Sequence, residues 1–154
     1  MLATSRLTKE LEGIQTDVLI QVFADQILVL VTQLGKVGSL IQATMPDTAP
    51  LLPTEPSPNP SDISLPPPSP SIQLTPVLGQ APSEHDQTLH SLYASQIATL
   101  VWTAEAAGAL DSGRRGVIVG IALRKSSGEE GSTGGEQRVF IGAMGMVTEL
   151  LKQP

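Results

Sequence analysis

The sequence has no cysteine and very few aromatic residues. The absence of cysteine among 154 residues excludes disulfide bonds, zinc-thiolate sites and thiol nucleophiles. One tryptophan, one tyrosine and two phenylalanines are the only aromatic residues, although 40% of the chain is hydrophobic. We therefore expect a core built from Val, Ile, Leu and Ala, and little surface on which nucleic-acid bases could stack.

Positive charge is also scarce. Nine Lys and Arg residues face fifteen Asp and Glu residues, and the net charge is −6. The longest basic block is Arg114-Arg115, whereas sequence-independent binding to nucleic acid requires clustered Lys and Arg. No apolar run reaches the roughly 18 residues of a membrane span, and the N-terminal segment does not have the apolar stretch of a signal peptide. We expect an intracellular protein that binds neither nucleic acid nor membrane.

Proline, in contrast, is abundant and unevenly distributed. Ten of the thirteen prolines lie between Pro46 and Pro70. Such a stretch has too little apolar surface to offset the entropy lost on ordering. The pattern predicts a single domain over 1–154 that is interrupted by a disordered Pro-rich insertion at 46–71 and by a flexible loop at 126–135. The insertion is either passive or, alternatively, docks a proline-reading module through "PPSP" at 67–70.

Runs of β-branched and aliphatic residues predict six strands. The first four are separated by short turn signals, which is typical of an antiparallel meander. The third and sixth are apolar at nearly every position, so we expect them to be buried on both faces. Pro76 places the fifth at a sheet edge or a bulge. The runs are 7–11, 16–24, 27–34, 37–43, 72–80 and 114–125.

Two segments have the periodicity of helices. The first begins after Ser83, a plausible N-cap, and ends at Gly108. The second begins at Thr133, where Glu136 completes a capping box, and runs to about Lys152, although a strand over 138–144 is an alternative. Gly142 and Gly145 weaken this helix or permit a close approach. The apolar positions are Leu89, Leu92, Tyr93, Ile97, Leu100, Val101 and Ala104 in the first helix, and Val139, Ala143, Met146, Val147 and Leu150 in the second. The fold class is α+β.

The segment "VTQLGKVGSLIQ", residues 31–42, allows two interpretations. Gly35-Lys36 resembles a phosphate-binding loop, but Leu30 stands where the earlier glycine of that motif is required, and a strand occupies the place of the loop. We favour a hairpin connection from Gly35 to Gly38, in which the glycines supply positive φ angles.

No group of residues predicts catalysis. Asp86 and His90 share a helix face, but two ligands do not make a metal site. We expect no metal, no cofactor and no enzymatic activity. Arg114 and Arg115 either contact an acidic partner or form a solvated turn. Trp102 lies off the main apolar stripe of its helix, so it either anchors an interface or packs under a loop.

The segment "TDVLIQVFADQILVLVTQLGKVGSLIQA" resembles the signature of the proteasome assembly chaperone 3 family. The resemblance covers 7–43 and 76–126 and includes "VLGQ" and "GVIVGIALRKS". The C-terminal helix matches by type and position. The Pro-rich insertion and the "GEEGSTGG" loop depart from compact animal members and resemble an expanded, fungal version. The matching residues of the signature are Ile27, Leu28, Val29, Val31, Thr32, Gln33, Gly35, Lys36 and Gly38.

The resemblance implies a small α+β protein with a mainly antiparallel six-stranded sheet and two helices. Members of that family are non-catalytic. They pair with proteasome assembly chaperone 4, a protein of similar fold, and help α-type subunits to form the ring of the 20S proteasome. The resemblance implies a protein of the cytoplasm and nucleus. A small trafficking or scaffold module of similar layout, and a ligand-binding or enzymatic domain, are the alternatives. The candidate partner-binding residues are Gln33, Gly35, Lys36, Gly38, Trp102, Arg114 and Arg115.

Overall fold

The computed structural model describes residues 3–11, 13–33, 38–46, 48, 65–79, 83–107, 115–123 and 132–152. It contains every helix and strand that the sequence predicts, and the alternative strand over 138–144 is wrong because these residues are helical. The elements are β1 (Ala3–Leu11), β2 (Ile14–Val22), β3 (Gln26–Thr32), β4 (Ser39–Thr44), β5 (Gln73–Leu78), α1 (Glu84–Ala107), β6 (Gly116–Ala122) and α2 (Ser132–Lys152).

The six strands form one sheet in the order β1-β2-β3-β6-β4-β5. Four of its five strand pairs are antiparallel, and β3 with β6 is the parallel pair. The predicted α+β fold with a mainly antiparallel six-stranded sheet and two helices is confirmed. β5 lies at an edge, and its pairing with β4 skips Val77, the residue after Pro76, as expected beside a proline that cannot donate a ladder hydrogen bond.

The predicted meander holds for β1 to β3 and is wrong for β4. β6 lies between β3 and β4, so the connection from Gly35 to Gly38 is not a β-hairpin. The prediction assumed that strands adjacent in sequence pair with each other, which is common but not obligatory. The two strands that are apolar at nearly every position, β3 and β6, instead pair with each other in the middle of the sheet.

Both helices pack on one face of the sheet. α1 contacts β4, β5 and β6, and α2 contacts β1, β2 and α1. The rings of Tyr93 on α1 and Phe140 on α2 meet edge to face, with centroids 5.0 Å apart. The core between helices and sheet is mainly aliphatic, as the composition predicts, although its two largest buried side chains are Trp102 and Tyr93. Its sheet residues include Val18, Ile20, Ile27, Val29, Val31, Val117, Val119 and Ile121.

The helix caps and stripes follow the prediction closely. The backbone N–H of Asp86 donates a hydrogen bond to the Ser83 hydroxyl over 3.1 Å, so Ser83 caps α1. In the α1 stripe, Leu92 is 56% exposed, and Leu89 and Ala104 are half-buried. In α2 the stripe is buried except for Val139, which is half-buried.

The second helix begins at Ser132, so residues 132–135 are helical rather than part of the predicted flexible loop. Gly142 lies where α2 crosses β1. A Cβ at this position would stand 2.7 Å from Cδ2 of Leu11. The predicted close approach is therefore confirmed for Gly142. Neither helix of the described chain is long and apolar enough to cross a membrane.

The last seven residues of the predicted insertion, 65–71, have a defined place in the fold. Pro66 is buried, and its carbonyl accepts a hydrogen bond of 2.8 Å from Nε2 of Gln96 on α1. Leu65 and Ile72 pack against the core. Residues 65–71 thus belong to the folded part of the chain. Residues 47 and 49–64 lie outside the described residues, so disorder in that part stays a prediction.

Candidate functional site

Gln33, in the segment that resembles the chaperone family, holds three strands together. Its backbone N–H donates to the carbonyl of Ala122 over 2.7 Å, which joins the ends of β3 and β6. Its side-chain Nε2 donates to the hydroxyl of Thr16 on β2 over 3.1 Å. Thr16 is fully buried and in turn donates to the carbonyl of Ile14. The side chain of Gln33 therefore has a structural role that the sequence did not indicate.

Two features require glycine at position 38: the φ angle of its own backbone and the close approach of β6. Its φ is +69°, which confirms the predicted positive φ at this position. A Cβ here would stand 2.8 Å from Cβ of Ala122 and closer still to the carbonyl oxygen of Ile121. The next residue, Ser39, already begins β4, whereas a phosphate-binding loop of this type leads into a helix. Gly35 and Lys36 lie outside the described residues, and their role in partner binding stays a prediction.

Trp102 packs inside the fold and does not anchor an exposed surface. It is 1% exposed, and its indole Nε1 donates to the carbonyl of Arg115 over 2.8 Å. Trp102 is therefore not an exposed anchor, and whether a loop covers it stays a prediction because residues 108–114 lie outside the described residues. The buried face of α1 is wider than the predicted stripe, because the helix contacts the sheet, α2 and the segment 65–72.

Arg115 joins three parts of the chain where β6 begins. Its Nη1 donates to the carbonyl of Phe23, after β2, over 3.2 Å. Its Nε lies 3.8 Å from Oε1 of Glu105 on α1, and both side chains are about a quarter exposed. Burial raises the pKa of Glu105, and the charge of Arg115 only partly opposes this. The guanidinium is thus engaged within the chain, which matches neither a solvated turn nor a free contact for an acidic partner. Arg114 lies outside the described residues.

Titratable groups elsewhere do not assemble a reactive centre in the described residues. His90 is 8% exposed, and burial lowers its pKa more than the charge of Asp86 raises it. The described part of the chain holds no group of three or more His, Asp or Glu side chains that could bind a metal ion.

The middle of the sheet face opposite the helices is apolar, and neither helix covers it. Successive residues of a strand point to opposite faces, so Leu28 and Leu30 lie on the other side of β3 from the buried Val29. They remain half-buried, as do Leu19 and Ile118. The expectation that β3 is buried on both faces is therefore wrong within the described chain. We call this surface the open-face patch; it consists of Leu19, Leu28, Leu30, Leu40, Leu78 and Ile118.

The strand register makes this patch continuous. Leu19 pairs with Leu30, Leu30 with Gly120, Gly120 with Leu40, and Leu40 with Leu78, so these residues form one row across β2, β3, β6, β4 and β5. Leu28 and Ile118 are paired in the next row. Leu78, at the end of the first row, is 61% exposed.

The open-face patch carries no charge and has a polar border. Towards β5, Gln42 extends the second row, and its Nε2 donates to Oε1 of Gln26 over 3.4 Å. Towards β1, Arg6 lies 3.5 Å from Asp17, which also accepts a hydrogen bond from Thr8. The charges nearest to the patch thus pair with each other.

A patch of this kind is suited to binding another protein. The solvent face of an antiparallel sheet is ordinarily polar, and a contiguous apolar patch with a polar border is typical of an interaction surface. The aliphatic side chains of the patch offer no nucleophile, acid or base. The sequence contains a signal for this patch. It predicts strands that are apolar on both faces, and two helices that pack on one face of a sheet leave the other face uncovered.

The chain is similar to solved structures, but not to known protein families or curated proteins. No protein family model matches the chain, and no curated protein matches it. Among solved structures, the chain is similar to one described as "Crystal Structure of a Novel Chaperone Complex for Yeast 20S Proteasome Assembly". The sequence identity is 11% and the TM-score 0.48, over 92% of this chain and 98% of that chain. We draw no functional conclusion from a similarity of this size, and membership of the family stays a prediction.

Proposed function

We propose that this protein is a non-catalytic chaperone for assembly of the 20S proteasome α-ring, and that it acts as a heterodimer with a proteasome assembly chaperone 4-like protein. The observation that carries the proposal of a binding function is the open-face patch. The sequence resemblance described above supports the specific role in the α-ring and a location in the cytoplasm and nucleus.

The open-face patch is the surface that we assign to the chaperone partner. A partner of similar fold would present a second sheet, and two sheets that stack face to face bury the side chains between them. In that arrangement β3 and β6 become buried on both faces, as their sequences predict. The free energy of burying aliphatic surface stabilises the pair, at about 25 cal/mol for each Å² removed from water.

The edge at β5 is the surface that we assign to α-type subunits. Val77 on this strand, which is not part of the open-face patch, is 52% exposed. The opposite edge, β1, carries Arg6 and Lys9, and Lys9 forms an ion pair of 2.8 Å with Glu149. Charged side chains protect the β1 edge from contact with another chain. β5 has no charged side chain, and although Pro76 and the register shift interrupt its backbone ladder, its exposed apolar side chain can still contact another protein. The chaperone pair would cover a surface of an α subunit that otherwise associates wrongly.

Purification from the source cells with substitutions on two surfaces tests the proposal. Leu30→Glu places a charge in the middle of the open-face patch, and Leu92→Glu makes the same change on the exposed side of α1. We expect tagged wild-type protein and Leu92→Glu to recover the chaperone partner and free α-type subunits, and Leu30→Glu to lose the partner. Circular dichroism spectra and melting temperatures establish that both variants are folded.

Two results would contradict the proposal in different ways. Recovery of the partner by Leu30→Glu at the wild-type level would show that the open-face patch is not the partner surface. If the wild type recovers proteins that Leu30→Glu loses, but no α-type subunit is among them, the alternative of a trafficking or scaffold module would be favoured instead. Lys36→Glu, examined beside these variants, tests whether the 33–38 segment contributes to binding.

A further inference from the structure

The last residues of the Pro-rich insertion form a short exposed segment that is held at both ends. Leu65 and Ile72 pack against the core, and the carbonyl of Pro66 accepts a hydrogen bond of 2.8 Å from α1. Between these two anchors lie residues 67–71, which we call the Pro-Ser segment. Its residues are exposed except Ser69, which is half-buried. The fold thus displays the segment at a fixed place on its surface.

The hydrogen bonds that shape the Pro-Ser segment are local. The backbone N–H of Ser71 donates to the hydroxyl of Ser69 over 3.1 Å, and the backbone N–H of Ile72 donates to the carbonyl of Ser69 over 3.3 Å. They accompany a turn at residues 70 and 71. Opening these two bonds breaks no helix or strand, and exposed turns open locally at little cost in free energy. Ser69 can therefore enter the cleft of another protein while the side chains that anchor the segment stay in place.

Ser69 is followed by Pro70 in a part of the chain without positive charge. No Lys or Arg lies between Lys36 and Arg114, so a kinase that recognises basic residues beside its acceptor finds none here. A proline-directed kinase instead selects the residue that follows the acceptor. Because proline has no backbone N–H, it leaves no unsatisfied donor in a binding site that offers no hydrogen-bond acceptor at that point. The residues around Ser69 thus fit this class of kinase.

Thr75 and Pro76, on β5, provide a contrast within the same fold. They form a dipeptide of the same type, but Thr75 pairs with Gln42 on β4, and the preceding residue, Leu74, packs against the core. A kinase could bind Thr75 only after this part of β5 left the sheet. The Ser-Pro pair at 57–58 lies outside the described residues. Sequence alone does not distinguish these pairs, whereas the fold leaves the Pro-Ser segment accessible and holds β5 in place.

We propose that Ser69 is a phosphorylation site for a proline-directed kinase and that the folded domain presents it to the enzyme. In the reaction, the bond between the γ-phosphorus of ATP and the oxygen that bridges it to ADP breaks, and a bond from that phosphorus to Oγ of Ser69 forms. The hydroxyl proton passes to a carboxylate base of the kinase. The products are phosphoserine at position 69 and ADP.

The phosphate adds charge to the surface without a new ion pair to the elements around it. A phosphoserine carries a charge of about −1.5 to −2 at neutral pH. The neighbouring elements α1, β4 and β5 contain no Lys or Arg that could pair with it. The backbone N–H of Ser71, which donates to Oγ of Ser69, can donate to a phosphate oxygen instead. We therefore expect the fold to be retained and the phosphate to stay accessible to a basic pocket of another protein.

Phosphorylation of the purified protein tests the inference. The probe is an active mitogen-activated protein kinase with ATP. Mass spectrometry of peptides cut after glutamate locates the phosphate, since trypsin has no cleavage site between Lys36 and Arg114. We expect Ser69 to be modified at least about tenfold faster than Thr75 in the folded protein. A synthetic peptide of residues 65–80 is the control, in which we expect this ratio to fall because no sheet holds Thr75.

Two proline substitutions test whether the kinase recognises the residue after the acceptor. Pro70→Ala gives that residue a backbone N–H, and Pro68→Ala makes the same change on the other side of Ser69. Both prolines are exposed, so we expect both variants to fold. We expect Pro70→Ala to lose phosphorylation of Ser69, and Pro68→Ala to keep a rate within about twofold of the wild type.

The inference fails on any of three results in vitro. If Ser69 stays unmodified in the folded protein, the fold does not present the site. Equal rates at Ser69 and Thr75 in the folded protein would show that the fold does not select the site. A melting temperature that falls on phosphorylation would show that the phosphate disturbs the fold.

The phosphate is also expected in the source cells. Tagged protein purified with phosphatase inhibitors should carry a phosphate at Ser69, and its absence would refute the use of this site in the cell. The proposed function is tested separately, because no proteasome subunit enters these measurements.

Discussion

Alanine substitutions at three glycines distinguish two contributions to the loss of unfolding free energy: the strain of a positive φ angle and the collision of a new Cβ with its neighbours. Gly13, Gly38 and Gly79 have φ angles of +77°, +69° and +77°. An L-residue in this conformation costs about 1–2 kcal/mol, and this cost is common to all three. What differs is the space that a Cβ would meet. It meets nothing within 4 Å at Gly13, and at Gly79 it lies 3.3 Å from Cα of Ser39.

At Gly38 the new Cβ would collide with the backbone of β6, at the carbonyl of Ile121. β6 is a central strand that is paired on both sides, so it cannot move without disturbing two ladders. We expect losses in the free energy of unfolding of about 1 kcal/mol for Gly13→Ala, slightly more for Gly79→Ala, and roughly 3–4 kcal/mol for Gly38→Ala, which is in the range of severe strain.

Urea denaturation followed by fluorescence measures these losses. Trp102 is the only tryptophan of the chain and is 1% exposed, so its emission reports loss of the core. We expect the slope of the unfolding free energy against urea concentration to be the same in all variants. A difference between their midpoints then reports a difference in stability. If Gly38→Ala lost no more than Gly13→Ala, the structural explanation of this glycine would be refuted.

Three further substitutions test the buried polar groups. Trp102→Phe removes the donor to the carbonyl of Arg115, and we expect a loss of about 1–3 kcal/mol in thermal unfolding; an unchanged melting temperature would contradict this. Because burial raises the pKa of Glu105, the folded state binds more protons than the unfolded state above the ordinary value of 4.5, so stability falls as the pH rises through that window, and Glu105→Gln should remove this dependence. The pKa of His90 is lowered, so stability should fall as the pH drops below 6.5, and His90→Gln should abolish the effect. For either group, a variant with the same pH profile as the wild type would disprove the assignment.

The local elements of the fold could be predicted because their signals lie within a few residues of each other. Ser83 caps α1 through a hydrogen bond three residues along the chain, and Pro76 limits β5 to an edge whatever its neighbours are. The order of the strands could not be predicted in the same way. β6 pairs with β3 across 90 residues of sequence and with β4 across 74 to 82, and no local pattern specifies a pairing of that range.

The candidate site shows a different limit of sequence patterns. The apolar positions of β3 predict burial on both faces, but one face is only half-buried within the described chain. The pattern does not tell whether a cover comes from the same chain or from another. Trp102 shows the opposite case. Its position off the main apolar stripe of α1 suggests exposure, but the residue is buried because α1 has several neighbours. Gly38 was predicted as a turn glycine, and its closest constraint, the carbonyl of Ile121, comes from a strand far along the sequence.

Native mass spectrometry of the complexes that the tagged protein forms in its own cells tests the central claim most directly. We expect a one-to-one complex with a chain of the proteasome assembly chaperone 4 type, and larger species that add α-type subunits but no complete 20S particle. A protein recovered as a monomer, or in complexes free of α-type subunits, would contradict the proposal that it is an assembly chaperone of the proteasome.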